Sequence, residues 1–159
     1  MASTILGIDP GLRITGYALL SSNANSVDLI EAGTLKTTDG ESLENRLKSI
    51  YEGLEEVISE YRPDAVSVER LYSHYKHPQT AVVMGHARGI IYLCAANHKL
   101  PLNSYASTRI KKALTGNGRA SKIQMQRAVM NKFKMIKLPE PPDIADAIAA
   151  ALCHIEAEK

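Results

Sequence analysis

The chain has 159 residues, of which 45% are hydrophobic and 23% charged, with a formal net charge of +2 and two cysteines. This is the composition of an ordinary globular domain large enough to bury a core, and the expectation is one domain over residues 1–159. No stretch is apolar enough to span a membrane, no basic segment with a signal-like apolar core opens the chain, and Cys94 and Cys153 lack a second thiol or chelating histidine at zinc spacing, so a cytoplasmic protein with two reduced, buried thiols is expected.

Thr4-Ile5-Leu6-Gly7-Ile8-Asp9 reads as a strand ending in a Pro10-Gly11 turn, followed by strands Ile14 to Ser22 and Val27 to Thr37 around the turn residues Asn23 to Ser26. These form an antiparallel meander. Leu43, Leu47, Ile50, Leu54, Val57 and Ile58 place one apolar stripe on a helix from about Ser42 to Tyr61, which Pro63 ends. A fourth strand, Ala65-Val66-Ser67-Val68-Glu69, leads into a Tyr- and His-rich loop, 71–78, and a second helix of about Pro78 to His98. Gly85 and Gly89 lie inside that helix at about 1 kcal/mol each relative to Ala, so another backbone is expected against them, either this chain's sheet or a symmetry-related helix. Leu102 to Ala106 reads as a fifth strand, followed by helices over about Ser107 to Leu114, Arg119 to Phe133 and Pro142 to Glu156, with a break at Gly116-Asn117-Gly118. The order β-β-β-α-β-α-β-α-α-α predicts an α/β domain with a mixed sheet.

Acids interrupt this apolar patterning at three element ends. Asp9 and Glu69 close strands, and Asp143 and Asp146 stand at i and i+3 near the start of the last helix, on one face. Strand-end carboxylates at a sheet rim are placed to meet a ligand. If the four converge they form an all-oxygen site suited to Mg²⁺, two ions sharing the oxygens, and the implied chemistry is metal-dependent hydrolysis of nucleic acid. Local roles compete: Asp9 as a turn former before Pro-Gly, and Asp143 as a helix N-cap. Asp146 is harder to explain locally, because residues 147–153 are all apolar and no Lys or Arg occurs from Leu138 to Glu158.

The charge distribution names the substrate class. Between Glu69 and Glu140 there is no acid, whereas thirteen Lys or Arg fall there, among them Lys76, Arg109, Lys111, Lys112, Arg119 and Lys122. Such a block fits a phosphate backbone, the alternative being a solvated face without a partner. His74, His77 and His86 read as part of a polar region rather than as a zinc site.

Ile5-Leu6-Gly7-Ile8-Asp9-Pro10-Gly11 with Thr15-Gly16-Tyr17, then Val68-Glu69, Gly85-His86-Ala87-Arg88-Gly89 and Asp143-Ile144-Ala145-Asp146-Ala147, in that order, resemble the blocks of the RuvC family of Holliday-junction resolvases across essentially the whole chain. The resemblance implies an RNase H-like fold, a mixed five-stranded sheet flanked by helices. It also implies a homodimer that binds four-way DNA junctions and resolves them by paired nicks, alone or with a branch-migration helicase complex, using Mg²⁺ with Mn²⁺ able to substitute. By resemblance Asp9, Glu69, Asp143 and Asp146 are the metal-binding catalytic acids, Lys111 and Lys122 contact phosphate near the cut, and Tyr72 stands where the family commonly has a Phe that stacks at the junction centre. Lys76, Arg109, Lys112 and Arg119 are then backbone-binding cations. An RNase H-like nuclease processing structured RNA is the competing enzyme reading, and a junction-binding protein without catalysis the non-enzymatic one. Retention of all four acids disfavours the latter.

Overall fold

The computed structural model describes residues 2–71 and 77–159. Strands β1 (Ser3–Asp9), β2 (Ile14–Ser22) and β3 (Val27–Lys36) form the expected antiparallel meander, and β4 (Ala65–Glu69) and β5 (Leu102–Tyr105) add in parallel on the other side of β1. The sheet order is β3-β2-β1-β4-β5. The helices are α1 (Leu43–Tyr61), α2 (Pro78–Asn97), α3 (Ser107–Thr115), α4 (Lys122–Lys132) and α5 (Pro142–Ala157). Among the described residues no helix is long and apolar enough to cross a membrane.

Strand alternation sorts the side chains into two cores. Leu6, Ile8, Leu19, Val66 and Val68 meet α1 and α2 through Ile50, Leu54, Ile91 and Cys94. Ile5, Ala18, Leu20 and Ala65 face the opposite way, toward Ala147, Ile148, Ala151 and Leu152 of α5. A third cluster, Ile110, Ala120 and Met125 against Ala149, Ala150 and Cys153, covers the outer side of α5 with α3 and α4. Helix α5 is therefore enclosed between the sheet and two other helices, which explains its almost continuous apolar run.

Small residues on the inner sheet face let α5 lie unusually close. A methyl at Gly7 would strike the Ala147 carbonyl oxygen and come within 2.7 Å of the Ala151 nitrogen, and one at Gly16 would strike the Asp143 backbone. Ser67, buried on the same face, donates a 2.6 Å hydrogen bond to the Ala150 carbonyl oxygen. Glycine inside a strand marks this kind of backbone approach.

Three expectations are corrected. Helix α4 starts at Lys122 rather than near Arg119, because Ser121 is its N-cap in a capping box with Gln124 and the preceding residues form a turn held by the Asn117 side chain. Pro141, not Asp143, stands at the N-cap of α5, and Asp143 is the second residue of the helix. The capping explanation for Asp143 is thereby removed. Finally, an added Cβ at Gly85 or Gly89 would meet nothing within 4 Å, so of the two partners expected for these glycines the sheet of this chain is removed and the symmetry-related helix is left. Cys94 and Cys153 are buried free thiols, as expected.

Candidate active site

The four acids are delivered by three elements that the packing brings together. Asp9 ends the central strand β1, Glu69 ends its parallel neighbour β4, and α5 starts beside Gly16 of β2 on the same sheet face. Because Ser67 faces α5, the alternation of β4 puts Glu69 on that side too. The turn after Asp9 is tied down by Thr15, a fully buried residue whose hydroxyl donates to the Gly11 carbonyl oxygen at 2.6 Å. The close seat of α5 on Gly7 and Gly16 thus fixes where Asp143 and Asp146 stand relative to Asp9.

The carboxylates act on one another's ionisation. Burial first, and then the charges of Asp146, Asp143 and Glu69, together push the Asp9 carboxyl up to about 8. Asp146 is pushed up to about 6, first by burial, then by Glu69 and Asp143, while Lys122 and Lys111 act in the opposite direction. The four acids are coupled neighbours, yet among the described residues no three His, Cys, Asp or Glu side chains close on one point as a finished metal cage. A partly buried cluster of like charges, all oxygen donors, with its ammonium groups at the margin, is a donor set that a hard divalent cation fits.

The structure divides the basic residues singled out above. Lys111 on α3 and Lys122 at the start of α4 act on Asp146. A cation at a helix N-terminus is disfavoured by the helix dipole, and Asp146 supplies the compensating negative charge at Lys122. Arg109 and Lys112 instead line a surface recess with Cys153 and Glu156 at the far end of α5, where the Arg109 guanidinium lies 4.9 Å from the Tyr105 ring centre. They are not part of the carboxylate cluster. Arg119 is exposed in the turn before α4. Tyr72, His74 and Lys76 lie outside the described residues. His77 and His86 are exposed or partly so, and neither joins the acids.

One residue beside the cluster is given no role by the sequence, although it lies in a block that carries the family resemblance. Arg88 of α2 donates from its guanidinium to the Glu69 carbonyl oxygen and lies 5.5 Å over the Tyr92 ring. It anchors the end of β4 from the helix on the opposite sheet face. Its sequence signal, an Arg between Gly85 and Gly89, does not announce a backbone carbonyl as partner. The glycines Gly7 and Gly16 carry a readable signal, since each interrupts a strand.

The comparisons agree with this arrangement. The family model described as crossover junction endodeoxyribonuclease RuvC matches residues 5–154. A crossover junction endodeoxyribonuclease RuvC of Rhodopirellula baltica is 49% identical over 152 residues, covering 96% of this chain and 85% of that protein. One from Alkaliphilus oremlandii is 41% identical over 94% of this chain and 91% of its own length. Among solved structures, the chain is similar to the T. thermophilus RuvC in complex with Holliday junction substrate, with a TM-score of 0.89 and 29% identity over 98% of this chain and 94% of that one. A yeast mitochondrial Holliday junction resolvase, 16% identical with a TM-score of 0.67, shares the fold, covering 94% of this chain and 76% of its own. The mixed five-stranded sheet with its flanking helices is the RNase H-like architecture of these resolvases, and the chain belongs to the RuvC family of crossover junction endodeoxyribonucleases.

Proposed function

We propose that this protein is a crossover junction endodeoxyribonuclease that acts on four-way DNA junctions as a homodimer, residues 1–159 forming one nuclease domain. The observation that carries the reading is the meeting of Asp9, Glu69, Asp143 and Asp146 where β1, β4 and the start of α5 come together, which leaves Asp9 a strand-end carboxyl raised to about 8 by burial and by the other three acids. Such a group is a fold liability unless a cation or substrate chemistry uses it. Asp9, Glu69, Asp143 and Asp146 would hold two Mg²⁺ ions, with Mn²⁺ as a substitute, and metal bound there supplies an activated water and stabilisation of the leaving oxygen in phosphodiester hydrolysis. Lys111 and Lys122 offset the negative charge that builds on the phosphate, in the place where Asp146 already draws them. Arg109, Lys112 and Arg119, with Lys76, bind backbone phosphates farther out. Tyr72, just beyond Glu69, is assigned to stacking on bases at the opened crossover. A branch-migration helicase complex is the partner such a reaction calls for, and the cytoplasm or nucleoid its place.

The exposed face of α2 supports the dimer. Val82 (61% exposed), Leu93 (49%) and Tyr92 (44%) form an apolar patch with open space over Gly85 and Gly89, the shape of a self-complementary helix contact. Two copies related by a two-fold axis present one carboxylate cluster to each of two matched strands. Light scattering combined with cleavage of a four-way DNA junction and of a hairpin RNA under the same conditions tests the reading. A dimer that nicks the junction and spares the RNA is expected, and a monomer that trims the RNA would overturn it.

A further inference from the structure

The connection between α4 and α5 carries the most exposed apolar side chain in the described protein. Ile136 is 104% exposed, and exposed Lys134 and Lys137 stand on either side of it, with Lys132 just before. This is not a loose loop. The end of α4 is closed by hydrogen bonds from the Met135 N–H to the Met130 carbonyl oxygen at 2.9 Å and from the Lys134 N–H to the Asn131 carbonyl oxygen at 3.4 Å, Lys134 adopting φ 51°. That is a Schellman turn. Phe133 and Met135 pack against the core around α5. On the other side, buried Gln126 donates a 2.9 Å hydrogen bond to the Pro139 carbonyl oxygen. The chain is thus pinned both before and after Ile136, and the isoleucine is held outward between cations.

Its position ties it to the carboxylate cluster. Asp143 is seven positions after Ile136, a span of at most about 25 Å, less than one turn of duplex DNA at about 34 Å. The tip therefore stands no farther from the acids than the duplex that flanks a scissile phosphate extends in one turn. An apolar side chain set between lysines is the arrangement with which proteins enter a minor groove, the cations taking the bordering phosphates. The recess beneath the tip is lined by Glu31 and Glu140 together with Leu29, Ile30 and Met135, and Lys137 stands on its rim; its acids disfavour a phosphate inside it. The exposed tip and its lysines are left as the surface a phosphate backbone could meet.

Resting on the junction reading above, we propose that Ile136, flanked by Lys134 and Lys137, contacts the minor groove of a duplex arm next to the cut strand. The test is equilibrium binding in EDTA, where nothing is cut, to junctions with arms of about two helical turns and of about half a turn. Ile136→Ser should raise Kd roughly 5–20-fold for the long-armed junction, the effect of removing one well-seated apolar side chain from the groove. It should leave the short-armed Kd, the thermal melting curve and the salt dependence of binding unchanged. Ile136→Leu should restore affinity. Lys134→Ala combined with Lys137→Ala should lower the salt slope by about two, one for each phosphate that is no longer neutralised. Unchanged long-armed binding by Ile136→Ser, in a wild-type background that binds and nicks junctions, overturns this inference alone and returns the tip to a protein partner. A wild-type protein with no preference for junctions overturns the functional reading itself.

Discussion

Replacing Asp9 by Asn should stabilise the metal-free protein at alkaline pH, although it removes an ionisable group from the centre of the site. The Asp9 carboxyl moves from an ordinary 3.8 to about 8 in the folded state, and at about 1.4 kcal/mol per tenfold the full displacement is worth roughly 6 kcal/mol. Asp9 is not wholly enclosed, and its titration is shared with Asp146, so a realised effect of about 2–3 kcal/mol is expected. The sign follows from proton uptake. Between pH about 4 and about 8 the folded state binds more protons at Asp9 than the unfolded state does, so stability is fully present below the unfolded value and falls as pH rises through the folded one. Asparagine has no such loss. Thermal or urea melts in EDTA at pH 5 and pH 8 measure the difference: near parity at pH 5, and at pH 8 a variant more stable by about 2–3 kcal/mol, or roughly 4–12 °C in Tm for a chain of this size. Mg²⁺ should then raise the wild-type Tm more than that of the variant. A variant no more stable than wild type at pH 8 would refute the electrostatic reasoning.

Glu69→Gln and Asp146→Asn should each abolish nicking while leaving junction affinity within a few-fold of wild type, measured by cleavage and by gel shift, because affinity resides in the basic surface. Lys111→Ala and Lys122→Ala should lower the single-turnover rate more than affinity; equal losses would move them to general backbone binding. Gly7→Ala forces a methyl into the Ala147 and Ala151 backbone and should cost roughly 3 kcal/mol, seen in a urea melt. Gly89→Leu meets open space within the described chain, so it should leave the monomer folded by circular dichroism and shift light scattering toward monomer; a folded, fully dimeric variant would place the dimer contact elsewhere.

Much of the fold is legible in the sequence because its periodicities are clean. The short apolar runs Thr4–Asp9 and Ala65–Glu69, and the apolar stripe of α1, predict the observed elements to within a residue or two. Boundaries decided by side-chain caps are less so: the Ser121/Gln124 capping box moves the start of α4, and Pro141 takes the N-cap position for which Asp143 competes on residue type alone. All four acids stand out of pattern in the sequence, yet the reason they meet lies in residues with no chemistry of their own. Gly7, Gly16 and Ser67 allow α5 to rest on the sheet, and that distance is a tertiary property. Arg88 escapes a sequence reading for a related reason, its partner being the Glu69 main-chain carbonyl rather than a complementary charge. The basic block reads as one surface, but folding separates Lys111 and Lys122, which act on Asp146, from Arg109 and Lys112 at the far end of α5.

Paired cleavage in one binding event tests the whole reading most directly. A supercoiled plasmid bearing an extruded cruciform, incubated with the protein and Mg²⁺, distinguishes two coordinated nicks, which give linear DNA, from independent single nicks, which give open circles. Two carboxylate clusters related by a two-fold axis predict linear product from the earliest time points with wild-type protein, and intact supercoiled plasmid with Glu69→Gln. Open circles accumulating ahead of linear DNA, or linear DNA produced by Glu69→Gln, would contradict it.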